Sequence, residues 1–245
     1  MTQDWVLILG ANSDMATATA RRFAQAGYNI QLASRNTEEL IKEAENLNVK
    51  YGVEVRTFFF DALDFDSHAA FYANLNAKPS GVIVAFGLLG DQQAAQHDFT
   101  TAKSIIDTNY SGAVSILEII AEDFERRRWG FIVGISSVAG DRGRKSNYLY
   151  GSAKAGFSAY LSGLRHRLFA TGVSVLTVKP GFVATKMTAG LDLPEKLTAT
   201  PQEVAEKIFV GFKKKKNTLY VKPVWRLIMT IIIHLPECIF KRTKL

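Results

Sequence analysis

A β-rich apolar run at residues 131–136 ends in Ser136-Ser137-Val138-Ala139-Gly140, and thirteen residues beyond Ser137 comes Tyr150-Gly151-Ser152-Ala153-Lys154. If the second segment is helical, Tyr150 and Lys154 lie one turn apart on a shared face. An ammonium held beside a phenol favours the phenolate and draws the tyrosine toward proton transfer near neutral pH. A hydroxyl at the C-terminal end of a strand, where open α/β sheets bind ligands, can polarise a carbonyl. Proton transfer to or from a carbonyl oxygen is therefore the chemistry this spacing suits. The pair Tyr-x-x-x-Lys also arises by chance, as a partly buried tyrosine beside a solvated lysine, so its setting has to carry the reading.

That setting begins at the N-terminus. The apolar run 5–9 leads into Gly10-Ala11-Asn12-Ser13-Asp14-Met15-Ala16 and then into a segment of helical period. A strand–turn–helix of this kind can bring backbone N–H groups and a helix N-terminus to a pyrophosphate. Gly10 suits the tight turn, and Asn12 and Ser13 offer hydrogen bonds. The spacing is that of Gly-x-x-x-Gly-x-Gly with Asp14 and Ala16 in the later glycine positions. Asp14 is the unusual member, because a carboxylate repels a pyrophosphate unless it caps the helix instead. The same residues would equally serve a plain N-capped strand–helix turn. The second strand ends Leu32-Ala33-Ser34-Arg35-Asn36, without the carboxylate that accepts from ribose hydroxyls in NAD-preferring folds. Arg35 can pair with a 2′-phosphate, which favours NADP; stacking of Arg35 on adenine would leave NAD usable.

The elements that must position these groups follow from periodicity. Short Val/Ile/Phe-rich runs at 5–10, 28–33, 53–60, 82–86, 131–136 and 173–178 read as strands, and the segments 15–26, 38–48, 67–77, 101–127 and 150–171 read as helices. Continuous apolar strands alternating with helices predict a doubly wound parallel sheet, an α/β Rossmann-type fold. Residues 1–222 read as one dinucleotide-binding and catalytic domain, and 223–245 as a basic, apolar C-terminal helical extension.

The chain of 245 residues has 47% apolar and 22% charged residues and a net charge of +7, ordinary for a soluble globular protein. One cysteine, Cys238, cannot form an internal disulfide, and the four histidines show no zinc-type spacing, so no metal is expected. The N-terminus does not read as a signal peptide, and the best apolar stretch, 227–235, is too short to span a bilayer. A cytoplasmic location is the expectation. The charge is uneven: from Lys207 onward ten basic residues face one acidic residue, while the preceding 206 residues carry −2. A near-neutral body argues against nucleic acid as a partner. Lys213, Lys214, Lys215 and Lys216 followed by an apolar segment suit a tail lying at an anionic membrane surface, or packed on a neighbouring subunit with its lysines solvated. Arg142, Arg144 and Lys145, before Tyr150, either clamp a substrate phosphate or form a solvated loop. Arg126-Arg127-Arg128 complements the dipole at a helix end.

Taken together, residues 5–187 resemble the short-chain dehydrogenase/reductase family through Gly10-x-x-x-Asp14-x-Ala16, Asp61-Ala62, Asn109-Tyr110-Ser111-Gly112, Ser137, Tyr150, Lys154 and Pro180-Gly181-Phe182-Val183-Ala184-Thr185. The resemblance implies that Tyr150 is the general acid for ketone reduction, that Lys154 lowers its pKa and holds the nicotinamide ribose, that Ser137 orients the carbonyl, and that Asn109 supports a proton relay. It further implies that Gly10, Asn12, Ser13, Asp14, Met15 and Gly87 belong to the dinucleotide site. Asp61 and Ala62 would contact the adenine, and Pro180, Gly181, Val183 and Thr185 would cover the nicotinamide carboxamide. Val84-Ala85-Phe86-Gly87 departs from the family's usual Asn-Asn-Ala-Gly. Within the family, Asp61-Ala62-Leu63-Asp64, the run from Val84 to Asp91 and the tail with Arg226, His234, Pro236 and Phe240 are similar to reductases of polyprenyl-phosphate-linked keto-sugars. That similarity implies a lipid-linked substrate of cell-wall synthesis, a flavin oxidase partner that makes the ketone, and a peripheral position at the inner face of the membrane. A homo-oligomer built on the helices at 101–127 and 150–171 is expected from the family. Reduction of another lipidic ketone (retinoid, steroid or acyl chain) and a non-catalytic dinucleotide-binding scaffold are the alternatives.

Overall fold

The computed structural model describes residues 4–190 and 192–243. Among these, seven parallel strands form one sheet in the order Val55–Phe59, Asn29–Ser34, Trp5–Leu9, Gly81–Val84, Phe131–Ile135, Ser174–Lys179, Thr218–Tyr220. The chain runs β1 (Trp5–Leu9), α1 (Asp14–Gln25), β2 (Asn29–Ser34), α2 (Thr37–Tyr51) and β3 (Val55–Phe59) outward from the centre. It then returns past α3 (His68–Ala73) to β4 (Gly81–Val84), on the other side of β1. This reversal makes the C-terminal ends of β1 and β4 a switch point, where such sheets leave a crevice. The chain continues through α4 (Gln92–His97), α5 (Phe99–Ile106), α6 (Gly112–Arg127), β5 (Phe131–Ile135), α7 (Tyr148–Leu168) and β6 (Ser174–Lys179). A small pair, β7 (Phe182–Val183) and β8 (Thr198–Ala199), precedes α8 (Pro201–Lys213), β9 (Thr218–Tyr220), α9 (Pro223–His234) and α10 (Glu237–Phe240).

Strand alternation divides the apolar residues into two layers. Val6 and Ile8 of β1 face one core with Phe23, Leu40 and Ile208, while Leu7 and Leu9 face the other with Ile116, Phe124, Phe157 and Leu161. Both faces of the central strands are buried, which is why they read as unbroken apolar runs. Helix ends follow side-chain chemistry: Thr200 and Glu203 form a capping box with Pro201 at the first turn of α8.

Three departures from the sequence reading bear on the site and the tail. The helix expected over 101–127 is continuous but carries a π turn at Asp107–Ser111, which joins α5 to α6. β9 is an additional edge strand, paired in parallel with β6 through Thr177↔Thr218 and Val178↔Leu219. Its three residues are too few to show a period. The third departure follows from β9. Because it runs parallel to β6, Lys213, Lys214, Lys215 and Lys216 sit at the N-terminal edge of the sheet, near Ser174 and Gly130. α9 starts at the opposite edge, about 20 Å of extended chain away. The lysine run and the apolar segment are therefore not one contiguous anchor.

α9 is also not apolar on all sides in its surroundings. Trp225, Met229 and Ile232, spaced at i, i+4 and i+7, are buried against Val138, Phe182, Leu197 and Tyr220 of the same chain. Val224, Leu227, Ile231 and Ile233 are exposed on its outer side. No helix among the described residues is long and apolar enough to cross a membrane.

Candidate active site

At the switch point β1 leaves the sheet through Gly10, whose φ of +80° and lack of a side chain are both required. A Cβ there would lie 2.6 Å from the backbone nitrogen of Phe86. The N–H groups of Gly10 and Ala11 donate to Ala33 O, and Asn12 Nδ2 donates to Asn36 O at 2.9 Å, so the exits of β1 and β2 are locked together. Asn12 Oδ1 is buried and has no partner among the described residues. The cap of α1 is Ser13, whose Oγ accepts from Ala16 N–H at 3.2 Å. Asp14 does not take that role: its Oδ2 accepts from the backbone N–H of Lys186 at 2.7 Å, across 172 residues of sequence. Arg35 is exposed at the end of β2 and makes no ion pair among the described residues.

A cavity of about 630 Å³ opens beside this turn. It brings together Gly10, Asn12, Ser13, Asp14, Met15, Arg35, Asp61, Ala62, Gly87, Tyr150, Lys154 and Thr185. Asn109, Ser137, Pro180, Gly181 and Val183 lie outside that lining. Ser137 follows β5 and caps a 3-10 turn, its Oγ accepting from Ala139 N–H at 3.1 Å. Asn109 sits in the π turn, fully buried; its Nδ2 donates to Leu88 O (2.6 Å) and Ile105 O (2.8 Å), and Leu88 N–H donates back to Oδ1. Both amide protons are thus engaged, one with the segment after β4 and one with α5. The π turn is what swings Asn109 inward to make these bonds.

Tyr150 and Lys154 share the inner face of α7, with Lys154 Nζ 5.8 Å from the centre of the Tyr150 ring. Lys154 is 4% exposed, and among the described residues its ammonium has one partner, Ile135 O at 3.0 Å. Burial brings its pKa down to about 8. Burial pushes the Tyr150 phenol up to about 12, a hydrogen bond with Ser137 working in the other direction. Desolvation outweighs that hydrogen bond, which keeps the phenol protonated near neutral pH.

The profile described as "short chain dehydrogenase" matches residues 4–196. An uncharacterized oxidoreductase of Mycobacterium tuberculosis is 38% identical over 240 residues, covering 97% of this chain and 96% of that protein. The chain belongs to the short-chain dehydrogenase family. Membership makes it an NAD(P)-dependent oxidoreductase. Among solved structures, a short-chain dehydrogenase from Sphingobium yanoikuyae in complex with NADPH superposes with a TM-score of 0.83 at 24% identity, covering 96% of this chain and 97% of that one. The actinorhodin polyketide ketoreductase with NADPH gives 0.79 at 22% identity, covering 89% and 95%.

The short-chain dehydrogenase cleft has supports that local sequence patterns did not disclose. His68 is fully buried between Ser115 Oγ (2.8 Å) and Asp61 O (3.1 Å) and stacks on Phe60, so it fixes the backbone of Asp61. Asp61 Oδ1 accepts from Leu63 N–H. Val138 N–H donates to Pro180 O at 3.0 Å, tying the Ser137 turn to the segment 180–183. Under that segment lies Trp225: a Cβ on Gly181 would come within 2.0 Å of its indole, which donates from Nε1 to Leu197 O and meets Phe182 edge-on. Arg142 and Arg144 neither clamp a phosphate nor lie solvated. Arg142 donates to Ile232 O (2.5 Å) and Leu235 O (2.7 Å), pairs with Glu237 and covers the Phe240 ring; Arg144 donates to Met229 Sδ. The guanidinium closes the C-terminus of α9, where a cation is favoured. Arg126 and Arg127 pair with Asp123 at the end of α6, as the sequence suggested.

The residues present fit a dinucleotide. Lys154 has ammonium protons unused beside Tyr150, the acceptor Asn12 Oδ1 is unpartnered, and Gly87 leaves open the space next to Lys154 and Asn109 that a Cβ would take.

Proposed function

We propose that the protein is an NADPH-dependent ketoreductase acting on a lipid-borne ketone, with a polyprenyl-phosphate-linked keto-sugar as the specific candidate. One observation carries the reading: Tyr150 and the buried Lys154 share the inner face of α7 and line the same cleft as Gly10, Asn12 and Arg35. Gly10, Asn12, Ser13 and Met15 would hold the dinucleotide's pyrophosphate half, Asp61 and Ala62 its adenine, Arg35 its 2′-phosphate, and Lys154 its nicotinamide ribose. When bound, NADPH supplies the hydride. The chain supplies everything else. Tyr150 donates its hydroxyl proton to the carbonyl oxygen, so that the added hydride and proton together give the alcohol. Ser137 Oγ accepts from Ala139 N–H, which leaves its own proton to hydrogen-bond the same oxygen. Lys154 holds positive charge behind the phenol as it loses its proton.

The lipid-borne substrate is supported by the outer side of α9. Val224, Leu227 and Ile231, at i, i+3 and i+7, form an exposed apolar stripe on α9, which follows the C-terminal end of β9, with Lys222, Arg226, Lys241 and Arg242 nearby in the chain. On this reading the stripe rests on an anionic membrane surface, and a separate oxidase, the flavin partner, delivers the ketone. Self-association through α6 and α7 belongs to the same proposal. The test is NADPH consumption by the purified protein with three kinds of ketone: a polyprenyl-phosphate-linked keto-pentose, a retinoid or steroid ketone, and a short water-soluble ketone. Turnover confined to the first supports the proposal. Preference for the second transfers the assignment to another lipid ketone, and absence of NADPH binding overturns it in favour of a scaffold.

A further inference from the structure

Asp14 occupies a position where the motif this chain resembles has glycine, and its carboxylate is engaged in a contact no glycine could make. It projects from the first turn of α1 and accepts from Lys186 N–H at 2.7 Å. Lys186 opens the 3-10 turn Lys186–Thr188, which Thr185 caps and Thr188 closes by donating to Val183 O. The cofactor cleft of about 630 Å³ and a neighbouring cavity of about 1160 Å³ share Asn12, Asp14, Thr185 and Lys186 as their common wall. The Asp14–Lys186 bond is thus the one side-chain hydrogen bond joining the two halves of that partition among the described residues.

We propose that Asp14 is a positioning residue that clasps the 185–188 turn across the dinucleotide site and sets the rate at which the cofactor leaves. Two effects of opposite sign meet in this carboxylate. As an acceptor it holds the turn closed, which slows release. As an anion near the pyrophosphate position at the head of α1, it repels the bound dinucleotide, which weakens affinity. When the clasp opens, the cleft and the larger cavity merge, and the dinucleotide gains a lateral way out. The proposal rests on NADPH binding in the cleft.

The two effects separate by substitution. Asp14→Asn keeps an oxygen acceptor and removes the charge; Asp14→Ala removes both. Lys186→Pro removes the donor N–H while leaving Asp14, and the site accepts it: Lys186 is the first residue of its turn, and Thr185 before it is extended (φ −138°, ψ 168°). Stopped-flow displacement of NADPH, read by its fluorescence, measures release. Asp14→Ala and Lys186→Pro should each speed release about tenfold. The double variant should be no faster than either alone, because both remove one bond. Asp14→Asn should release at near the parental rate and bind NADPH more tightly. Hydrogen exchange at the Lys186 amide in the cofactor-free protein should accelerate in Asp14→Ala and not in Asp14→Asn. Parental release in both Asp14→Ala and Lys186→Pro, or additive effects in the double variant, overturns the clasp. If the parent binds no NADPH, the functional reading fails, while amide exchange still decides whether the contact holds the turn.

Discussion

The two walls of the cleft are built in opposite ways. The α7 wall is interior: Lys154 is buried, its carbonyl accepts from Ser136 Oγ, which also meets Ser158, and Gly134 of β5 lets Leu161 pack within 2.4 Å of where a Cβ would be. The facing wall is the first turn of α1 and the 185–188 turn, joined by one exposed hydrogen bond and edged by the exposed Lys186 and Met187. On the proposed mechanism, the groups that transfer protons sit on the part that cannot shift without disturbing the core, and those that admit the dinucleotide sit on the part held by a single exposed hydrogen bond.

The sharpest break in this comparison is Tyr150→Phe. It removes the side chain's only acidic proton and should lower turnover about a thousandfold, while NADPH affinity, measured by fluorescence titration, stays near the parental value. Comparable losses in both would mean that the two walls do not divide chemistry from binding. Next is Trp225→Ala, which empties the space under Gly181 and Phe182. A loss of about 3–5 kcal/mol in urea unfolding is expected, with reduced turnover under conditions where the protein is still folded. A stability change without a kinetic one would show that the indole supports only α9. On the loose wall, Arg35→Asp replaces attraction with repulsion at the 2′-phosphate, and the ratio of kcat/KM for NADPH over NADH should fall about tenfold or more. An unchanged ratio would remove Arg35 from the site.

The smallest effect is a pair of pH dependences with opposite sign. Burial lowers Lys154 to about 8 from the ordinary 10.5. As pH rises through 8 the folded protein sheds a proton that the unfolded chain keeps. Stability therefore increases between about 8 and 10.5, because the cost of burying the charge disappears. Over the same rise the ammonium is lost, and kcat/KM for NADPH should fall about tenfold between pH 7 and 9. Lys154→Met should flatten both curves. A cofactor limb displaced to pH 10 would place Lys154 in contact with water.

What could be read from the residues alone divides along the same line. The alternation of apolar strands with helices predicted the doubly wound sheet, and Ser137, Tyr150 and Lys154 stood out because their relation is local: one strand end and one helical turn. Asp14–Lys186, Arg142–Leu235 and Gly181–Trp225 join residues far apart in the chain, and no period marks such pairs. Asp14 looked like a capping or repelling group because its partner is a backbone N–H, which every residue carries. Arg142 read as either a phosphate clamp or a solvated loop residue, because nothing local marks a guanidinium that serves the carbonyls at a distant helix end. The exposure of Lys213 to Lys216 was legible, but their distance from α9 depends on the direction of a three-residue strand.

Trp225 has a consequence for how the protein is made. Domains assemble as the chain emerges from its N-terminus, so Tyr150, Lys154 and the first turn of α1 are available long before the indole that underlies Gly181. β9 and α9 follow later, and Arg142 has no helix end to close until they do. The part of the site at Gly181 and Phe182 is thus completed only after α9 is made, and a nascent chain stalled before Trp225 holds Tyr150 and Lys154 without the floor beneath that segment.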